Sequence, residues 1–244
     1  GYPWTEAFTE SWKYTLKSSE VFNVPSSASI FVQESQGTET YSEISHIAAY
    51  DKRDSKIDPT SGYLAKLVTD VAGLGGTVAY MRNRVETDYY YPVAENWVLS
   101  LSGNGGIING LGEDVKLLDR FFIGGNEVRG FKIDGIGPRD RSTNDALGGE
   151  YFYAGSVQLA FPLGFPEEFR IKGRVFNDVG SSWKLQENDP NHLIEDSSSL
   201  RASAGFGMTW VSPFGLLGVD IGYAYLKENY DRTELFRLNF GTRF

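Results

Sequence analysis

The chain has no cysteine, only two histidines and two methionines, and no long apolar run. Without cysteine there is no disulfide framework and no thiolate metal site. An oxidising compartment needs no disulfides, so this absence leaves location open. Basic residues are in deficit as well: 23 Lys and Arg against 32 Asp and Glu give a formal charge of −9. Nonspecific phosphate binders carry the opposite excess, so nucleic acid is not an expected partner. No stretch approaches the roughly 18 to 20 apolar residues of a membrane-spanning helix, and Gly1-Tyr2-Pro3-Trp4 does not have the pattern of a secretory leader. These absences do not exclude a membrane. A strand crosses one in about 9 to 11 residues, half of which face a polar lumen.

What the chain has is glycine and aromatic residues: 28 Gly, 14 Tyr and 16 Phe in 244 residues, enough for one large all-β domain. Its clearest signal is a period of two. In Arg201–Trp210, Ala202, Ala204, Phe206, Met208 and Trp210 share one face, with Arg201, Ser203, Gly205, Gly207 and Thr209 on the other. Tyr151, Tyr153, Val157, Leu159 and Phe161 likewise oppose Phe152, Ala154, Ser156, Gln158 and Ala160, and Val219, Ile221, Tyr223 and Tyr225 alternate with Asp220, Gly222 and Ala224. About ten such segments lie near 6–19, 39–52, 62–73, 76–92, 96–108, 149–163, 167–184, 198–212, 215–227 and 233–244. Turn signals such as Asp58-Pro59-Thr60-Ser61-Gly62 separate them, which predicts an antiparallel meander. No segment of useful length has a helical period.

A soluble β-sandwich would alternate in the same way. Two features favour a transmembrane β-barrel: the non-apolar face is rich in Gly, Ser, Asn and paired charges, and aromatics gather at segment ends, as in Tyr89-Tyr90-Tyr91, Trp97, Phe161, Trp183 and Trp210.

Two connections, 19–38 and about 109–148, are longer than a hairpin needs, and ordered loops of that length are usually functional. Leu117, Leu118, Phe121, Phe122, Ile123, Val128 and Phe131 give the second enough apolar surface to pack, and Gly124, Gly125 and Gly130 let it turn. It also carries Arg129, whose charge needs a partner if the loop is buried. In Arg170–Trp183 the face with Lys172, Arg174 and Gly180 also holds Phe176 and Asp178, so a guanidinium there could take a bidentate bond and a stacking contact. An ordinary solvated loop arginine is the competing reading.

These residues carry a family resemblance. Arg120-Phe121-Phe122-Ile123-Gly124-Gly125 followed by Val128-Arg129-Gly130-Phe131 resembles the sixth extracellular loop of the bacterial outer-membrane assembly-factor family. Asp51-Lys52-Arg53-Asp54 with Asp58-Pro59-Thr60-Ser61-Gly62 resembles that family's periplasmic turn, and Phe176-Asn177-Asp178-Val179-Gly180 resembles the motif of its thirteenth strand. Phe236–Phe244, with Phe236, Leu238, Phe240, Gly241 and Phe244, resembles its closing strand. The resemblance implies that the loop folds into the lumen and that Arg129 meets Asp178 there. Gln158 stands where the family commonly has glutamate. It also implies that residues 1–244 are the C-terminal part of a sixteen-stranded barrel, strands seven to sixteen, without the first strands and POTRA domains; either those strands exist elsewhere or the ten segments close into a narrower barrel.

The implied function is insertion and folding of client β-barrel proteins in the bacterial outer membrane, at a seam between first and last strands. The lipid bilayer, the clients and accessory assembly lipoproteins are the implied partners. A two-partner-secretion-type transporter of the same superfamily is the alternative. Catalysis is not expected: His46 lies in a strand, His192 in the acidic stretch Gln186–Ser199, and no serine sits in a Gly-x-Ser-x-Gly elbow. Glu43, Glu86 and Asp88 read as lumen or rim charges paired with nearby Lys and Arg. Glu187, Asp189, Glu195 and Asp196 match no twelve-residue calcium loop, and no cofactor is implied.

Overall fold

A computed structural model describes residues 1–185, 193–212 and 215–241 of the chain. The strands are β1 (Tyr2–Pro3), β2 (Phe8–Val21), β3 (Gly37–Asp51), β4 (Gly62–Ala72), β5 (Tyr80–Ala94), β6 (Trp97–Gly110), β7 (Arg139–Asp140), β8 (Tyr151–Pro162), β9 (Ile171–Trp183), β10 (Ile194–Glu195), β11 (Arg201–Ser212), β12 (Gly215–Leu226) and β13 (Phe236–Gly241). Eleven of them form one antiparallel sheet in chain order, and β7 and β10 form a separate ribbon. The ten long strands coincide with the ten alternating segments. The two-residue strands lack a periodic signal, and so does a single helical turn, α1 (Ile30–Glu34), inside the first long connection. Five residues are too few for a helical period to show.

The alternation sorts side chains onto two faces. Trp12, Tyr14, Leu16, Val85, Tyr89, Leu101, Val157 and Tyr223 are exposed on the outer face. Trp97 stacks on Phe161 with ring centroids 5.3 Å apart near the rim of short turns, and Trp183 meets Tyr151 and Tyr153 at 5.9 and 5.8 Å near the other rim. An apolar outer face between two aromatic belts matches a bilayer. β2 and β3 run 14 and 15 residues, more than the roughly 9 to 11 a crossing needs.

The inner face is polar and internally paired. Arg82 on β5 reaches Asp70 on β4 at 2.9 Å and Glu43 on β3 at 3.4 Å, while Lys66 meets Glu86 at 3.1 Å. The sheet is curled, because one long loop touches its inner face from Tyr41 on β3 to the approach to β13. The two edges of the sheet, β1 and β13, are not paired with each other among the described residues.

At the lower rim, the turn 51–62 is held by its own side chains. Asp54 accepts from Thr60 N–H at 2.9 Å and Ser61 N–H at 3.2 Å, and Arg53 grips Asp51 through Nε and Nη2 at 2.9 and 2.8 Å. Burial alone would raise the Asp54 carboxyl; hydrogen bonds from the Thr60 hydroxyl and from the Thr60 and Ser61 N–H groups outweigh it and hold the group at about 2. Gly62 must be glycine: φ is +97°, and a Cβ would fall 2.0 Å from the Lys52 carbonyl oxygen.

At the upper rim the connections form a cap. Ser29, the N-cap of α1, donates Oγ–H to Asp140 at 2.7 Å and N–H to Asp145 at 2.8 Å, which ties the first connection to the long loop. The β7–β10 ribbon ties in a third connection. Beneath the cap, Tyr41, Ala72, Val78, Tyr80, Ile108 and Val115 make a small core beside Asp119, which accepts from the Tyr41 hydroxyl at 3.3 Å.

Burial pushes the Asp119 carboxyl from 3.8 up to about 6. The folded form thus keeps its proton to higher pH than the unfolded chain, so the stability linked to that proton is present below about pH 4 and is lost as pH rises through about 6. Amides in 115–121 are therefore expected to exchange faster at about pH 7.5 than at about pH 5, after correction for intrinsic rates, with Asp119→Asn abolishing the difference. Equal corrected protection at both pH values would refute this.

Candidate functional site

The long loop folds inward as a compact unit. Phe121 and Gly149 exchange backbone hydrogen bonds of 2.8 and 2.9 Å, Ile136 N–H reaches Ile123 O at 3.2 Å, and Gly125 N–H reaches Phe131 O at 3.0 Å. Gly124, Gly125 and Gly130 have φ of +126°, +64° and +88°, which L side chains resist. Val128 and Phe131 are fully buried against Ile123, Ile136, Ala154 and Ala224, so the loop has its own apolar contact with the sheet.

Between those two apolar residues, Arg129 points at β8 and β9. Its Nε and Nη2 take Asp178 Oδ2 and Oδ1, both at 2.8 Å, and its own backbone N–H reaches Asp178 Oδ2 at 3.0 Å. Nη1 donates to Gln158 Oε1 at 2.7 Å and Nη2 to Ser156 Oγ at 3.0 Å, while Ser156 Oγ–H donates to Asp178 Oδ1 at 2.7 Å. The guanidinium carbon lies 3.5 Å from the Phe176 ring centroid. Every group is in reach because Ser156↔Asp178 and Gln158↔Phe176 are register pairs of β8 and β9. Arg129 and Asp178 are both buried, and their bond is bidentate and stacked on Phe176. Gln158 supplies a neutral acceptor. One cation against one carboxylate is already balanced, and a glutamate there would leave the cluster with an excess negative charge.

Glycines on the sheet make the seat. Gly130 lies on Gly222 of β12, where a Cβ would sit 2.8 Å from the Gly130 nitrogen, and a Cβ at Gly180 would sit 2.7 Å from Val128 Cγ2. The loop is also stitched to the segment that feeds the edge strand: Glu234 N–H reaches Gly130 O at 3.0 Å, Lys132 N–H reaches Arg232 O at 2.9 Å, and Phe131 bridges Thr233. On β13, Phe236, Leu238 and Phe240 are exposed on the outer face and Gly241 pairs with Leu216. Phe244 lies outside the described residues.

A second buried ion pair went unread in the sequence. Arg174 on β9 grips Asp220 on β12 through Nε and Nη2 at 2.9 and 2.7 Å, and Asn239 Nδ2 on β13 donates to Asp220 Oδ2 at 2.7 Å. Alternation puts all three on the inner face, but nothing local joins strands so far apart in sequence. Ser156 was equally silent, although it lies two residues before Gln158 on the same face. Among the described residues no three His, Asp or Glu side chains stand where they could hold a metal ion, and Glu187, Asp189 and His192 lie outside that set. His46 is on the outer face, 2.5 Å from Glu10. A cavity of about 260 Å³ remains below the loop, bordered by Arg129, Gln158, Arg174, Asp220 and Asn239 among others.

A family model described as the Omp85 superfamily domain matches residues 1–244. Outer membrane protein assembly factor BamA of Neorickettsia risticii is 34% identical over 233 residues, covering 95% of this chain and 31% of that protein. The sorting and assembly machinery component 50 homolog of Mus musculus is 32% identical over 217 residues, covering 84% of this chain and 45% of that protein. The chain thus spans less than half the length of these relatives. The crystal structure of BamA from Haemophilus ducreyi lacking POTRA domains 1–3 superposes with a TM-score of 0.73 at 23% identity, over 83% of this chain and 42% of that one, and shares its fold.

Proposed function

The chain belongs to the Omp85 superfamily, and from that membership we propose that it is the C-terminal barrel portion of an outer-membrane factor that inserts and folds client β-barrel proteins. The observation that carries this reading is the loop anchored through Arg129 and bonded by Gly130 O to Glu234 at the head of the edge strand. That arrangement seats the loop inside the curled sheet and braces β13 at once. An unpaired strand edge offers main-chain hydrogen bonds of sequence-tolerant affinity, which suits clients that share a fold rather than a sequence. The bilayer is one partner, contacted by the apolar outer face; accessory lipoproteins are proposed on family grounds alone. The reading is non-enzymatic and needs no cofactor.

The competing reading is a secretion pore of the same superfamily. A capped and loop-filled interior weighs against it. Full-length protein reconstituted in liposomes should speed the folding of a urea-unfolded β-barrel client at least several-fold, and Arg129→Ala should lose most of that gain. Steady single-channel conductance without any acceleration of folding would overturn the proposal in favour of a pore.

A further inference from the structure

The edge strand β13 is joined to its neighbour by backbone bonds, which any sequence can make, and to the rest of the sheet by side chains, which only this one makes. We infer that Asp220 and Asn239 are positioning residues of the seam. With Arg174 behind them, they hold the inner side of β13 at Asn239, so that the strand can part from the sheet only beyond that residue. This deepens the insertion reading and rests on it.

Three observations support the inference. First, the Arg174–Asp220 bond skips a strand. The residue in register between them on β11 is Gly207, where a Cβ would lie 2.1 Å from Asp220 Oδ1, so the bond passes through a glycine window. Second, Asn239 stands opposite Gly218, which has no side chain, and so can lean to the neighbouring Asp220 at 2.7 Å. One carboxylate thereby links β9, β12 and β13, with the ion-paired side chains 3% and 1% exposed. Third, among the described residues the tether stops there. Thr233 and Glu234 are bonded to the loop, Arg237 pairs with Glu234, and Asn239 is held by Asp220; the next inner-face position is Gly241, which has no side chain to hold.

A buried ion pair contributes little net stability compared with apolar packing of the same volume, whereas its bidentate geometry is specific. The role that fits is placement. Asn239 Oδ1 meets no donor among the described residues, so Asn239→Leu removes one hydrogen bond at similar volume.

The test uses the full-length protein in lipid bilayers with paired spin labels; this chain contributes no background thiol. One pair goes on the outer face at Leu238 and Val219, which are register partners just before Asn239, and a second at Phe236 and Ile221 toward the upper rim. In the parent protein both pairs should show strong dipolar broadening. In Asn239→Leu and in Asp220→Asn, the Leu238–Val219 pair should lose at least half of it while the Phe236–Ile221 pair keeps it. Loss at both pairs alike, or at neither in Asn239→Leu, overturns the inference. Client folding is assayed separately, so the insertion reading can fail while the tether stands, and the reverse.

Discussion

Arg129→Ala is expected to release the loop and expose residues 125–135 to protease, at a cost of about 3 to 5 kcal/mol to the packed state. The magnitude comes from what is left behind. Asp178 would stay buried, keeping only the Ser156 hydroxyl and the residue 129 N–H, both neutral donors, in place of a bidentate cation. Arg129→Lys should fall between: it keeps the charge but loses the fork and the flat contact with Phe176. The pairing itself is checked by a double-mutant cycle. Asp178→Asn alone strands a cation in the same site, so the double variant should be little worse than either single one. Additive effects on protease half-life would show that the two residues stabilise the loop independently, and the anchor would have to be sought in the Val128 and Phe131 contacts instead.

That cycle could be designed from the sequence, and it is instructive why other contacts could not. Alternation puts Asp178, Phe176 and Gln158 on inner faces of strands that are neighbours in the chain, and the family resemblance assigns Arg129 to them; β8 and β9 are consecutive in the sheet, so their register is constrained by local connectivity. Arg174 and Asp220 obey the same alternation, yet their strands are separated by β11. The pair forms only because Gly207 leaves the line between them open. The β7–β10 ribbon and the Ser29 contact with Asp140 and Asp145 are similar: short polar stretches without a period, joined by tertiary contacts. Sequence period reports which face a residue is on. It does not report what crosses the space that the face encloses.

The inner-face glycines make the same point and lead to the second large effect. In an alternating pattern Gly180, Gly205 and Gly222 look like the small residues of a polar lumen. In the structure two of them are a seat for Val128 and Gly130, and Gly205 makes room for the ring of Phe176, whose Cζ would be 2.5 Å from a Cβ at that position. Gly222→Ala is therefore expected to displace the loop although it touches no charge: its Cβ would meet the Gly130 nitrogen at 2.8 Å and the Arg129 carbonyl carbon at 3.2 Å. The neighbours that would have to give are backbone atoms of a residue pinned by Asp178, so the strain should be distributed between the bidentate bond and the Gly130–Glu234 bond. A cost of about 1 to 3 kcal/mol follows from overpacking of this kind. Protease should then cut 125–135 as it does in Arg129→Ala, more slowly than in that variant. Gly155→Ala is the control. It adds the same methyl group to β8 on the outer face, where the closest atoms would be 3.5 and 3.6 Å away, an ordinary contact, and it should leave the loop protected. If Gly222→Ala is protected to the same degree as Gly155→Ala, the close approach of loop and sheet at Gly130 is not what holds the motif in place, and the ion pair must carry the loop alone.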